Sequence, residues 1–161
     1  MAIARDELHH RDWYRWAREQ ADGLRRLASE RINTDLELEL IAEDLDEMAD
    51  GKRDAVRSQL RRVLVHLLKL EHSPASDPHR QWRRSIREAR AQIDDRLTST
   101  LEAELRADLP RVYGKARRLA AAEMADYGEH SAASAIPAEC PYSFEEILAE
   151  DWFPPPRAGG A

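Results

Sequence analysis

His66 lies between Leu64-Val65 and Leu67-Leu68, a setting in which an imidazole is buried or half-buried. A neutral histidine held there can bind a metal ion or act as a base near pH 7. The same residue can equally pack against its neighbours and bond to a backbone carbonyl or an acid. Its partners have to come from other helices. With Ile41 at the centre of a buried helical face, Glu43 points about 160° away and Asp44 only about 60°. Asp44 is therefore the acid to set beside His66 as a general base or metal centre. Glu39, Glu43, Asp46 and Glu47 invite comparison with carboxylate-bridged metal bundles, but those need Glu-x-x-His on facing helices, and none occurs. These four acids read as a solvated face, and neither a bound metal nor a cofactor is expected.

Arg80, Arg83, Arg84 and Arg87 share one face of the segment that holds Trp82, with Arg57, Arg61 and Arg62 shortly before it. A stripe of guanidinium groups is what phosphate contact requires. Base reading needs interleaved aromatic or polar side chains as well, and only Trp82 is near. No helix-turn-helix, zinc-finger or ribonucleoprotein signature accompanies it. Nucleic acid is thus a second choice of ligand, behind pairing of these arginines with the acidic segment 35–50. Cys140, alone in the chain, needs an adjacent base such as His130 to act as a nucleophile; without one it is a small packing residue. Trp13, Trp16 and Trp82 recur with aliphatic residues at helical spacing and read as core anchors. A glycine-rich phosphate loop, a Gly-x-Ser-x-Gly elbow and a His-Glu-x-x-His pair are all missing, which disfavours several familiar enzyme classes.

The elements that must position these residues are helices. Trp13, Trp16, Ala17, Leu24 and Leu27, with Gln20 on the same stripe, mark a helix from Asp12 to about Arg31. Thr34 and Glu37 read as a capping box opening an acidic helix with Leu38, Ile41, Ala42, Leu45, Met48 and Ala49 inward. Asp50-Gly51 is a stop or a restart signal, yet the apolar phase continues through Val56, Leu60, Val63, Leu67 and Leu70 without a slip. The spacing therefore fits two collinear helices or one weakened at Gly51. Leucine and valine cover most of the circumference over 63–70, the pattern of a central helix. Asp77-Pro78 caps a helix through Leu97. Ser99 with Glu102 opens a short helix, and Pro110 begins or kinks the next, which runs to about Met124. Residues 128–138 read as a loop, and Ser143 with Glu146 caps a last short helix.

With 161 residues, 35% of them charged and few glycines, the chain has the size and composition of a single helical domain over 1–153. The tail 154–161 is expected to be disordered. Residues 1–50 carry 7 basic and 14 acidic residues, 51–118 carry 17 and 9, and 119–161 carry 1 and 8. The single cysteine fits a reducing compartment, and no apolar run has the length of a membrane span. A soluble cytoplasmic protein with no membrane partner is expected.

Five segments then occur in order: Trp13 to Gln20, Ile41 to Met48, Leu64 to Lys69, Trp82 to Glu88 and Cys140 to Phe144. Together they resemble a bacterial family known as domain of unknown function number 29, over roughly residues 10–154. The resemblance implies a helical fold and a bacterial origin, and it supplies no activity or site residue. One departure is Ala49-Asp50-Gly51-Lys52, where the family has a Gly followed by a Ser-containing turn, and it bears on the helix boundary near residue 50. The expectation is an all-α antiparallel bundle of about five to seven helices, including short C-terminal ones. Its expected role is as a non-enzymatic module that binds another protein or a second copy of itself. The alternatives are nucleic-acid binding through Arg80–Arg87 and a metal or general-base enzyme centred on His66.

Overall fold

The computed structural model describes residues 2–157, with side chains from Glu7 onward, and among them it holds seven helices and no strand. In chain order these are α1 (Ala2–Arg11), α2 (Trp13–Ser29), α3 (Leu38–His72), α4 (His79–Asp94), α5 (Ser99–Asp126), α6 (His130–Ser134) and α7 (Phe144–Leu148). The chain is all-α, as its composition and periodicity imply. Its residues group into two compact units. Unit 1 comprises the chain up to Ala55 together with Arg96–Glu104; unit 2 comprises Val56–Asp95 and the chain from Leu105 onward.

Asp12 organises unit 1. Its carboxylate accepts the Arg15 N–H at 3.0 Å, capping α2, and the Thr100 N–H at 3.1 Å, capping the first turn of α5. Burial alone would raise this carboxyl, but the backbone donors outweigh it and hold it below the ordinary aspartate value. The cap of α5 accordingly sits one residue before the expected Ser99: the Thr98 hydroxyl accepts from Leu101 N–H at 3.2 Å. α5 is then one helix that runs through Pro110, which lies on the exposed side where water can replace the missing N–H. The inward residues of α2 are Tyr14, Ala17 and Ala21, so its Trp16–Leu24–Leu27 stripe is not the buried one.

α3 is one uninterrupted helix of 35 residues, with Gly51 inside it and no atom within 4 Å of where a Cβ would stand. It begins at Leu38, later than the Thr34–Glu37 box would place it. Thr34 instead turns the chain locally by accepting the Leu36 N–H at 3.2 Å. In its first half Leu38, Ala42 and Ala49 are buried, whereas Ile41 and Met48 are 38% and 56% exposed. The true centre of that face is therefore Ala42, one residue from the expected Ile41, because the smaller side chain admits the closer helix.

Unit 2 packs around the second half of α3. Leu60, Val63, Leu64, Leu67 and Leu68 are fully enclosed there, together with Ile86, Ala89 and Ile93 of α4 and Val112, Tyr113 and Ala116 of α5. Gly128, at φ 79°, ends α5: its N–H bonds to Ala125 O and the Glu129 N–H to Met124 O, both at 2.9 Å. The Ala/Ser stretch beyond it, expected as loop, forms the one-turn helix α6. α7 opens with the full capping box expected of Ser143 and Glu146.

The start of the expected disordered tail is tied down. Pro154 is buried, and the Arg157 N–H bonds to Glu71 O at 2.8 Å. Residues 158–161 of that tail lie outside the described residues.

Candidate functional site

His66 is half-buried on α3, and its Nδ1 lies 2.8 Å from the Arg62 carbonyl. A carbonyl only accepts, so Nδ1 carries the proton and Nε2 the lone pair. Burial pushes the imidazole below its ordinary pKa, which keeps it neutral at pH 7. Asp44 does not join it. The two residues are 22 positions apart on one continuous helix, about 33 Å of rise, and Asp44 points about 160° away from Ala42 and is exposed. The one-residue error in the centre of the buried face explains only why Asp44 was expected to turn inward; 22 positions along one helix separate it from His66 whatever the phase. Asp46, only about 40° from Ala42, is the acid that turns inward.

Asp46 meets α2. Arg18 binds Asp46 at 2.8 Å and Asp50 at 2.5 Å, and donates to the Tyr14 hydroxyl at 3.2 Å. Tyr14 in turn donates to Glu104 at 2.7 Å, and Arg25 reaches the second oxygen of Asp46 at 2.6 Å. Hydrogen bonds from Arg18 hold both aspartates below the usual carboxylate range. This network uses the acids of α3 that the sequence assigns to the arginines of α4.

Those arginines stand exposed: Arg80, Arg83, Arg84 and Arg87 all face solvent. Arg84 pairs with Glu88 at 3.0 Å, and Arg83 and Arg87 lie over the Phe153 ring at 5.1 and 5.3 Å. Sequence reasoning missed Arg90, the buried member of the series. Its guanidinium donates to the carbonyls of Glu146, Ile147, Glu150 and Trp152 at 2.8–3.3 Å. Burial pulls its pKa down to about 10, still well above neutrality. Its signal was its spacing: Arg90 follows Ile86 by four and precedes Ile93 by three, on the inward stripe.

Cys140 donates to the Tyr142 carbonyl at 3.4 Å, and burial raises its thiol pKa. That is the environment of a packing cysteine, opposite in sign to a reactive thiolate. Among the described residues no group of three His, Cys, Asp or Glu side chains is placed to hold a metal ion.

Three open cavities among the described residues bear on function. One of about 560 Å³ runs along α2, lined by Leu8, Trp16, Gln20, Gly23, Leu24 and Leu27, with Glu19, Asp22 and Glu30 against the single cation Arg26. A second, of about 510 Å³, continues from Ala28 past Ile32, Leu36, Leu38 and Leu40, and its charged lining is Glu37, Glu39 and Glu43. The third, of about 500 Å³ and in unit 2, contains His66, Lys69, Asp77, Trp82 and Tyr127.

A family model described as domain of unknown function DUF29 matches residues 8–153. The chain belongs to this family. The DUF29 match thus spans both units and all three cavities. An alpha-helical protein of unknown function from Rhodospirillum rubrum ATCC 11170, known from its crystal structure, is similar in fold. Its TM-score is 0.77 at 23% identity, over 89% of this chain and 90% of that one. That likeness shows the all-α architecture. A comparison with curated proteins gives no match. Among the described residues no helix is long and apolar enough to cross a membrane.

Proposed function

We propose that this DUF29 chain is a cytoplasmic, non-enzymatic protein-interaction module that takes an amphipathic helix of another protein into the groove along α2. The observation that carries the reading is the exposure of Leu27, Ile32, Leu36, Leu40, Ile41 and Met48, all in unit 1, at 38–63%. Of these, Leu27 lines the α2 groove and Ile32, Leu36 and Leu40 line the second cavity of unit 1, and exposed apolar clusters of this kind mark binding sites. From Trp16 to Leu27 the groove follows α2 for 11 residues, about 16 Å, the length of three turns of a partner helix. Its acidic rim favours a partner with Lys or Arg flanking its apolar face.

The test is titration with three-turn helical peptides carrying leucines at i, i+4 and i+7 and lysines around them. Micromolar binding that Leu27→Glu abolishes without lowering the melting temperature is expected. The reading fails if no such peptide binds at millimolar concentration. It fails for a foreign partner if sedimentation shows a dimer that Leu27→Glu dissolves, because the occupant is then a second copy.

The exposure of Arg80, Arg83, Arg84 and Arg87 favours a second reading, nucleic-acid binding. It requires affinity that falls steeply with salt and drops with each arginine removed. Absence of any shift of labelled DNA or RNA at low salt ends it.

A further inference from the structure

The cavity around His66 is separate from the α2 groove and has the volume of a small-ligand site. The Lys69 ammonium lies 4.8 Å from the centroid of the Trp82 ring and 2.6 Å from Glu123, so both of its interactions are internal. Tyr127, 85% exposed, is the most exposed large apolar side chain among the described residues. The reversal at Gly128 brings Glu129 back to the cavity lining, where one carboxylate oxygen accepts from Ser73 at 3.0 Å. Asp77 was expected to cap α4, but α4 starts without a side-chain cap. Asp77 lines the cavity instead, with no hydrogen bond or ion pair to another described residue.

The uncommitted acceptors of this cavity are His66 Nε2, the Asp77 carboxylate and the second oxygens of Glu123 and Glu129, and the Gln81 amide, the Trp82 indole N–H and the Tyr127 hydroxyl stand beside them as donors. Its single cation is engaged, and three carboxylates against one ammonium leave the lining with a net charge of −2. An anion is repelled from such a lining, and its three carboxylates favour a positively charged donor over a neutral ligand. A planar or tetrahedral group with several N–H donors and a positive charge matches it, with aromatic faces to cover the cation. We propose that this cavity binds an organic cation, a guanidinium or ammonium group on a short apolar stem, through His66, Asp77, Glu123 and Glu129, with Tyr127 as the aromatic side chain free to meet it. His66, neutral at pH 7, serves as an acceptor there.

Butylguanidinium and its uncharged counterpart butylurea separate this proposal from plain apolar binding. Calorimetric titration of the full chain at low ionic strength should show saturable binding of the guanidinium and none of the urea. Tyr127→Ala, and Asp77→Asn combined with Glu129→Gln, should each weaken it about tenfold. Lys69→Met should strengthen it, because it frees Glu123 and removes the competing charge; a misfolded variant cannot mimic a gain. The capped tripeptide Ac-Ala-Arg-Ala-NH2 separates the sources: tighter binding than butylguanidinium assigns the side chain of a peptide, weaker binding a free small cation. Equal binding of urea and guanidinium, no heat with guanidinium up to tens of millimolar, or weakened binding in Lys69→Met would each overturn the proposal.

Discussion

In unit 1 the positions with no exposure are Ala17, Ala21, Ala42 and Ala49, whereas in unit 2 they include Leu64, Leu67, Leu68 and Ile86. Of the large apolar side chains of unit 1, Tyr14, Leu38 and Leu101 are buried, whereas Leu27, Ile32, Leu36, Leu40, Ile41 and Met48 are exposed. Its net charge is also the more extreme, with 10 basic and 17 acidic residues against 15 and 14 in unit 2. Each fully buried Leu or Ile contributes roughly 1.5–3 kcal/mol and an alanine far less. Unit 1 therefore leans on caps and ion pairs, the Asp12 double cap and the Arg18 network, where unit 2 leans on hydrophobic burial. What the contrast teaches is that unit 1 leaves several large apolar side chains at its surface, where the proposed partner would bind, and unit 2 buries more of its own internally.

The largest test of that contrast is Arg90→Ala, at the buried arginine of the hydrophobic unit. Removing it leaves four carbonyls without their donor, and a loss of about 3–5 kcal/mol is expected. Hydrogen exchange should show amides of 144–157 losing protection ahead of α3. Next comes a matched pair of truncations. Leu67→Ala should cost about 2–5 kcal/mol in denaturant unfolding, and Leu36→Ala less than about 0.5. Comparable losses at the two positions would break the contrast, because Leu36 would then be part of a core.

How much of this was legible in the sequence follows the same division. In unit 2 the near-continuous run Val63–Leu70 is apolar whichever way the helix is turned, so its central place is readable without the exact phase. In unit 1 the phase decides everything, and Ile41 and Ala42 compete for the centre of the face on hydrophobicity alone. Hydrophobicity favours Ile41; close helix approach favours Ala42, and approach distance leaves no mark in a single sequence. That one-residue error turned Asp44 inward on paper and hid Asp46. The Ser143–Glu146 box was legible because both partners are local. The double cap by Asp12 was not, because Thr100 is 88 residues away. Arg90 was hidden by its type, since an arginine on an inward stripe reads as the edge of the solvated face until the carbonyls of α7 are placed around it.

Asp12→Ala probes the capped unit and should cost about 2 kcal/mol, one cap of each helix. Acid should act through the same groups. Asp12, Asp46 and Asp50 all titrate below the usual aspartate range in the folded chain. An unfolded aspartate titrates near 3.9. Their contribution is thus complete above about pH 4 and fades as pH falls through the depressed folded values. Exchange measured at descending pH should show Ala17 and Ala42 losing protection while Leu67 keeps it. Simultaneous loss would mean that the two units do not differ in what holds them.

The smallest effect expected is a gain. Gly51 is helical and exposed, and nothing stands within 4 Å of an added Cβ, so Gly51→Ala removes unfolded-state freedom without a clash. About 0.5–1 kcal/mol of added stability should appear in urea unfolding. The sign matters more than the size. Gly51 precedes by a few residues the point, between Ala55 and Val56, where α3 leaves unit 1 for unit 2. A gain means that the 35-residue helix is continuous in solution. A loss means that the chain needs glycine's freedom at this position, and that α3 bends between the unit built on alanine and the unit built on leucine.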